Sequence, residues 1–201
     1  MVLLLILFAF FLGSIPTGVI LTKFFSGIDP RQVGSGNIGA TNVLRAAGKK
    51  VAVATLLGDI LKGVIPVLIA EAALDSYFWV GAVALAAFLG HIFSVFLKFK
   101  GGKGAATALG VFLALSPPSA GLAIAVFAAT VAKWRYISLG SLVATAVLPV
   151  FLLLLNPHRV IVPFALIIGA LIFWRHRENI KRLLVGTESK FGKKAEKSAK
   201  P

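Results

Sequence analysis

Lys98 to Gly104 reads K-F-K-G-G-K-G and sets three lysines and three glycines between two strongly apolar segments. Such a loop suits an anion. Without a Cβ, Gly101, Gly102 and Gly104 leave backbone N–H groups open to a ligand, and Lys103 adds a compact positive charge. If Gly104 opens a helix, the positive end of that helix faces the same point. This is not the nucleotide-binding G-x-x-x-x-G-K-[ST] loop, because Leu97 stands five residues before Gly102 and Gly104 follows Lys103. The plain alternative is a short basic connection on the cytoplasmic side of a membrane.

Two further polar stretches favour the ligand. Gly34 to Arg45, G-S-G-N-I-G-A-T-N-V-L-R, places Ser35, Asn37, Thr41 and Asn42 among glycines and ends in Arg45. Gly, Ser and Asn favour a folded-back chain with N–H groups exposed, and Arg45 offers a planar fork for phosphate or carboxylate. Read plainly, the same residues cap helices in a surface loop. Arg175 to Lys190, R-H-R-E-N-I-K-R-L-L-V-G-T-E-S-K, carries His176 and Asn179 on one helical face where the last apolar run ends. His176 is the only histidine expected on that side of the membrane, and in the plain reading it contacts headgroups. Three phosphate-compatible stretches on one face point to a shared site for one or two anionic substrates.

The elements that must position these groups are apolar. Of 201 residues 58% are hydrophobic, and the formal charge is +14, a combination that indicates an integral membrane protein with a basic face. Beside that body, the cations read as contacts for lipid and anionic substrates and not for nucleic acid. The chain has no cysteine, so disulfides, thiolate nucleophiles and Cys-based metal sites are excluded. His91, His158 and His176 are too widely spaced to suggest a metal cluster, and no cofactor is called for. Seven acidic residues make magnesium cages and paired-carboxylate hydrolysis poor candidates.

Apolar runs fall at about 2–25, 51–73, 78–97, 105–115, 120–132, 137–155 and 160–174. They predict an all-α fold of seven transmembrane helices, the fourth and fifth short enough to form a re-entrant pair instead. Lys and Arg crowd the first, third and fifth loops and the C-terminal segment; Arg159 alone lies in the opposite loops, and Lys62 lies inside the second run. The positive-inside rule then puts the N-terminus outside and the C-terminus in the cytoplasm. Residues 1–190 read as one polytopic catalytic domain, and 191–201 as a basic tail expected to be disordered. Asp59, three residues before Lys62, is an intramembrane acid and so either a functional group or half of a structural ion pair. Oligomeric state is not readable.

G-S-G-N-I-G-A-T-N-V-L-R-A-A-G-K-K, F-K-G-G-K-G-A-A-T and R-H-R-E-N-I-K-R-L-L-V-G-T-E-S-K closely resemble the three motifs of the bacterial acyl-phosphate:glycerol-3-phosphate acyltransferases, and L-L-G-D-I-L-K-G around Asp59 is similar to that family too. Ser94 departs from it, standing where proline is expected. The resemblance implies acyl transfer from acyl phosphate to the 1-hydroxyl of glycerol 3-phosphate in a bacterial cytoplasmic membrane, with the site facing the cytoplasm. Ser35, Lys103, His176 and Asn179 are then expected to be catalytic. Asn37, Thr41, Asn42, Arg45, Gly101, Gly102, Gly104 and Ser141 are expected to contact substrate, with the donor phosphate on the glycine N–H groups. The H-x-x-x-x-D signature of other glycerolipid acyltransferases is absent, since Phe96, Pro163 and Lys181 stand five residues after the histidines. An activated donor has little need of a strong base. A small-anion transporter and a scaffold for anionic lipids are the competing readings.

Overall fold

The computed structural model describes residues 1–192. The first apolar run is two helices, α1 (Val2–Ser14) and α2 (Thr17–Ser26), separated at Ile15 and Pro16, because Pro16 has no N–H to continue the helix. A loop pinned by an ion cluster follows, in which Asp29 meets Lys23 at 3.2 Å and Arg31 at 2.6 Å. The long helix α3 (Ala40–Ala73) is kinked at Gly48, whose φ of 80° and ψ of −179° lie outside the range of other residues. Its first turns thereby belong to the loop region and its remainder to the second apolar run. Then come α4 (Tyr77–Ile92), α5 (Ala105–Leu115), α6 (Pro117–Trp134), α7 (Ile137–Leu155), α8 (Val162–Arg175) and α9 (Arg177–Leu184).

Every apolar run is helical, and no strand occurs among the described residues. Four helical segments, Val2–Ser26, Ala40–Ala73, Tyr77–Leu97 and Ile137–Leu155, are long and apolar enough to span a bilayer; α8 with α9, bent by 59°, makes up to five. The 11 residues of α5 rise only about 16 Å against a hydrocarbon core of about 30 Å, so the fourth run does not span as one straight helix. Half of the eight residues of α9 are charged, and we read the last span as ending with α8. Of the C-terminal segment expected to be disordered, Phe191 and Gly192 are described, and Phe191 shares two hydrogen bonds with Arg135; residues 193–201 lie outside the described residues.

Lipid tails are as apolar as leucine, so helix association here rests on close packing. α1 lies along α4 and α3 along α5. A Cβ at Gly13 would stand 2.0 Å from the Ala87 carbonyl oxygen, at Gly90 2.1 Å from that of Phe10, and at Gly110 2.0 Å from that of Ile60. Glycine is what lets these backbones touch. Ser94, where proline was expected, donates its hydroxyl to the Ser14 carbonyl and so fastens the end of α4 to the end of α1.

Candidate active site

The first polar stretch folds around one amide. Asn42 is 1% exposed; its Nδ2 donates to the carbonyls of Pro30, Asn37 and Val33 at 2.7, 2.8 and 3.0 Å, and its Oδ1 accepts the Ser35 N–H at 3.0 Å. Asn42 was expected to touch substrate, but its polar atoms are spent on the loop, so its work is to shape that loop. Ser35, Asn37, Thr41 and Arg45 remain on the cavity wall. Neither the Ser35 hydroxyl nor the Arg45 guanidinium has a partner among the described residues, and no base stands ready to activate Ser35.

The glycine loop differs more from expectation. Gly101 N–H donates to the Ile92 carbonyl at 3.2 Å and Gly102 N–H to the His91 carbonyl at 3.1 Å, which closes the loop onto the end of α4. Neither group is open to a phosphate, which corrects the expected role of Gly101 and Gly102. Their lack of side chains serves packing, since a Cβ would lie 2.0 Å from the His91 carbonyl oxygen at Gly101 and 2.2 Å from His91 Nε2 at Gly102. Arg175 holds the other side, donating to the Gly101 carbonyl and, at 3.0 Å, to the Gly102 carbonyl. The N–H groups left for an anion are those of Gly104, in left-handed conformation, and of the first turn of α5 beyond it. Lys98 and Lys100 are exposed and away from the cavity; Lys103 lines it.

Around Lys103 the third stretch forms a network. Lys103 Nζ donates to Asn179 Oδ1, and Asn179 Nδ2 donates to Glu188 Oε1 at 2.6 Å. Glu188 also accepts from Ser138 Oγ at 2.7 Å and from Arg182 Nε at 2.7 Å. Burial raises the Glu188 carboxyl, but the bonds from Ser138, Asn179 and Arg182 outweigh it and hold the group below the usual range. Asn179, expected to be catalytic, has both polar atoms in this chain of bonds, its Oδ1 holding the Lys103 ammonium. Burial brings the Lys103 ammonium down to about 8; Glu188 opposes the shift, while Arg182, Arg175 and Arg45 add to it. Burial likewise lowers His176 to about 4. Its Nδ1 lies 2.9 Å from the Ile172 carbonyl, which can only accept, so near neutrality His176 carries its proton there and presents Nε2 as an acceptor. Ser141, one turn into α7, bonds the Ile137 carbonyl at 3.0 Å and faces the same cavity.

All three stretches therefore meet at one cavity of about 1710 Å³. Its polar mouth receives the N-termini of both α3 (Gly39, Ala40, Thr41) and α5 (Gly104, Ala105, Ala106), together with Arg45, Lys103, His176 and Arg182. Two helix N-termini with that many cations can hold two anionic groups side by side. Deeper in, the walls are apolar, formed by α5, α6, α7 and α8.

Several site residues were missed in the sequence. His91 lies under the glycine loop on the cavity wall, so His176 is not the only histidine at that end. Its Nδ1 is 3.8 Å from Asp59 Oδ1, which accepts from Lys62 Nζ at 2.8 Å and Thr17 Oγ1 at 3.0 Å; Lys62 also donates to the Ile15 carbonyl at 2.8 Å. The ion-pair reading of Asp59 and Lys62 holds, and the pair ties the break between α1 and α2 to α3. Glu188 and Arg182 stood inside the third stretch, where an acid amid clustered cations was the signal available. Ser138 carried none.

Residues 3–186 match the family model described as glycerol-3-phosphate acyltransferase. A glycerol-3-phosphate acyltransferase of Geotalea daltonii is 54% identical over 187 residues, 93% of this chain and 96% of that one. One of Geobacter sulfurreducens is 54% identical over 183 residues, covering 91% and 94%. Among solved structures, PlsY (YgiH), an integral membrane glycerol 3-phosphate acyltransferase, superposes in its glycerol 3-phosphate form with a TM-score of 0.91, 48% identity and coverage of 95% and 96%. Its lysophosphatidic acid form gives 0.89 and 47%, covering 95% of each chain.

Proposed function

The chain belongs to the glycerol-3-phosphate acyltransferase family, and we propose that it transfers a fatty acyl group from acyl phosphate to the 1-hydroxyl of glycerol 3-phosphate, releasing lysophosphatidic acid and phosphate. The observation that carries this reading is a mouth with two helix N-termini and several cations, opening into an apolar cavity. Two phosphates and one acyl tail are the groups such a site accommodates.

In this reading the substrate hydroxyl oxygen bonds to the acyl carbonyl carbon, the bond from that carbon to the phosphate oxygen breaks, and the hydroxyl proton passes to a phosphate oxygen. Acyl phosphate is already activated, so the protein contributes orientation and stabilisation of developing charge. Ser35 and Asn37 orient the donor, His176 orients the acceptor through Nε2, and Asn179 acts through Lys103. A histidine lowered to about 4 is a poor base near neutrality, which favours the proton's transfer to phosphate. The chain sits in the cytoplasmic membrane of a bacterium with the cavity mouth toward the cytoplasm, its seven apolar runs embedded in the hydrocarbon and the fourth of them too short to cross it as one straight helix.

The test is an assay of the purified protein with glycerol 3-phosphate and either acyl phosphate or acyl-CoA. Lysophosphatidic acid should form from acyl phosphate alone, and the donor by itself should leave no acyl-enzyme. Turnover of acyl-CoA at an equal rate, or an ester trapped on Ser35, overturns this scheme.

A further inference from the structure

We propose that the apolar end of the cavity measures acyl-chain length, with Ala120, Leu148 and Ala165 as its floor. This rests on the acyl-transfer reading above. Phe112 on α5, Ala120 on α6, Leu148 on α7 and Ala165 on α8 all line the cavity and are 2%, 1%, 8% and 3% exposed, so the wall they form at this end is buried. One turn further stand Leu115 on α5 and Leu152 on α7, with Ser116 and Ile161 immediately ahead of α6 and α8. All four are buried and none lines the cavity. On these four sides the wall thus ends at a buried layer at one level.

Hydrogen bonds hold that layer shut. Asn156 Nδ2, at the end of α7, donates to the Leu115 carbonyl at 2.9 Å, and Ser116 Oγ donates to Ser119 Oγ at 2.8 Å across the turn from α5 to α6. Opening the floor for a longer chain would break contacts among four helices at once.

The depth follows from helix geometry. Ser138 at the mouth and Leu148 at the floor are ten residues apart on α7, and Ala165 is eleven from His176, giving about 15 to 16 Å at 1.5 Å per residue. An extended hydrocarbon advances about 1.25 Å per carbon, from single bonds of about 1.5 Å at an angle of about 111°. The cavity therefore takes about 12 to 13 carbons straight, and further carbons gain no new buried wall.

The experiment measures affinity of the purified protein for lysophosphatidic acids of 8 to 18 carbons, beside turnover of the matching acyl phosphates. Affinity should rise about fourfold per added carbon, the transfer value for one buried methylene, and level off near 12 to 13. Ala120→Leu raises the floor and should move the break about two carbons shorter; Leu152→Ala opens the layer beneath and should move it longer. The opposed directions keep the test decisive if one variant fails to fold. An unbroken rise through 18 carbons, or a break unmoved in the folded variants, overturns the ruler. Failure of every acyl phosphate to turn over, with the break in place and movable, sinks the donor assignment and leaves the ruler standing.

Discussion

Lys103 is the residue whose chemistry is most exposed to test. Its ammonium, brought down to about 8 by burial, is the cation nearest both the α5 N-terminus and the Asn179 chain, and a charge-assisted bond to a phosphate contributes about 1.5 to 3 kcal/mol. Lys103→Ala and Arg45→Ala should each lower kcat/KM roughly ten- to a hundredfold, measured on protein shown to be folded. Because kcat/KM reports the free enzyme, it should also fall as pH rises through about 8, and Lys103→Arg should remove that limb. Unfolding linked to this lysine is not the cause: its folded value lies below the unfolded one, so between about 8 and 10.5 the unfolded state binds more protons and stability rises with pH. His176→Gln should keep measurable activity with no pH limb lost near neutrality, since a group lowered to about 4 does not titrate there. Loss of a neutral-pH limb in that variant would make His176 the base.

At the scale of elements, what was legible were the apolar runs and the polar stretches between them; what was not were contacts made across the fold. Gly101 and Gly102 read as phosphate contacts because a glycine-rich loop beside a lysine looks the same whether its N–H groups face a ligand or the end of another helix. Only the packing of α4 under the loop decides it, and His91 was passed over for the same reason, as one more polar residue in an apolar run. Glu188 became a hub because Ser138, fifty residues away, folds back onto it. The corrected role of the glycines changes their expected phenotype. Gly101→Ala and Gly102→Ala should displace the loop and lower thermal stability, with activity lost for every donor and acceptor concentration; a pure rise in KM for acyl phosphate at unchanged melting temperature would restore the phosphate-cradle role. The buried Asp59 and Lys62 pair gives a second test at this scale. Removing one partner of a buried ion pair costs about 3 to 5 kcal/mol because the other charge is left uncompensated, so Lys62→Met should unfold at far lower temperature than the parent. The double variant Asp59→Asn with Lys62→Met should recover much of that loss.

For the whole molecule, the proposed sidedness rests on where the cations gather. Arg45, Lys103, Arg135 and Arg182 all reach the end that carries the cavity mouth. The opposite end closes on Asn156 bonding Leu115 and on Tyr77 stacked on His158 with ring centroids 3.4 Å apart, with Arg159 its one nearby cation among the described residues. An asymmetry of this kind resists inversion, since each cation carried across the hydrocarbon at a helix centre costs about 2.5 to 3.5 kcal/mol on insertion scales. The absence of native cysteine makes the orientation measurable with single introduced thiols. Lys100→Cys, in the exposed tip of the glycine loop, should react with a membrane-impermeant maleimide in inverted vesicles and stay protected in intact cells. Asp75→Cys, between α3 and α4 at the other end, should show the reverse. Both positions lie outside the cavity wall, so labelling reports sidedness without depending on activity. Reversed labelling at both would place the mouth outside, away from cytoplasmic glycerol 3-phosphate, and the acyl-transfer scheme would lose its substrate supply along with its orientation.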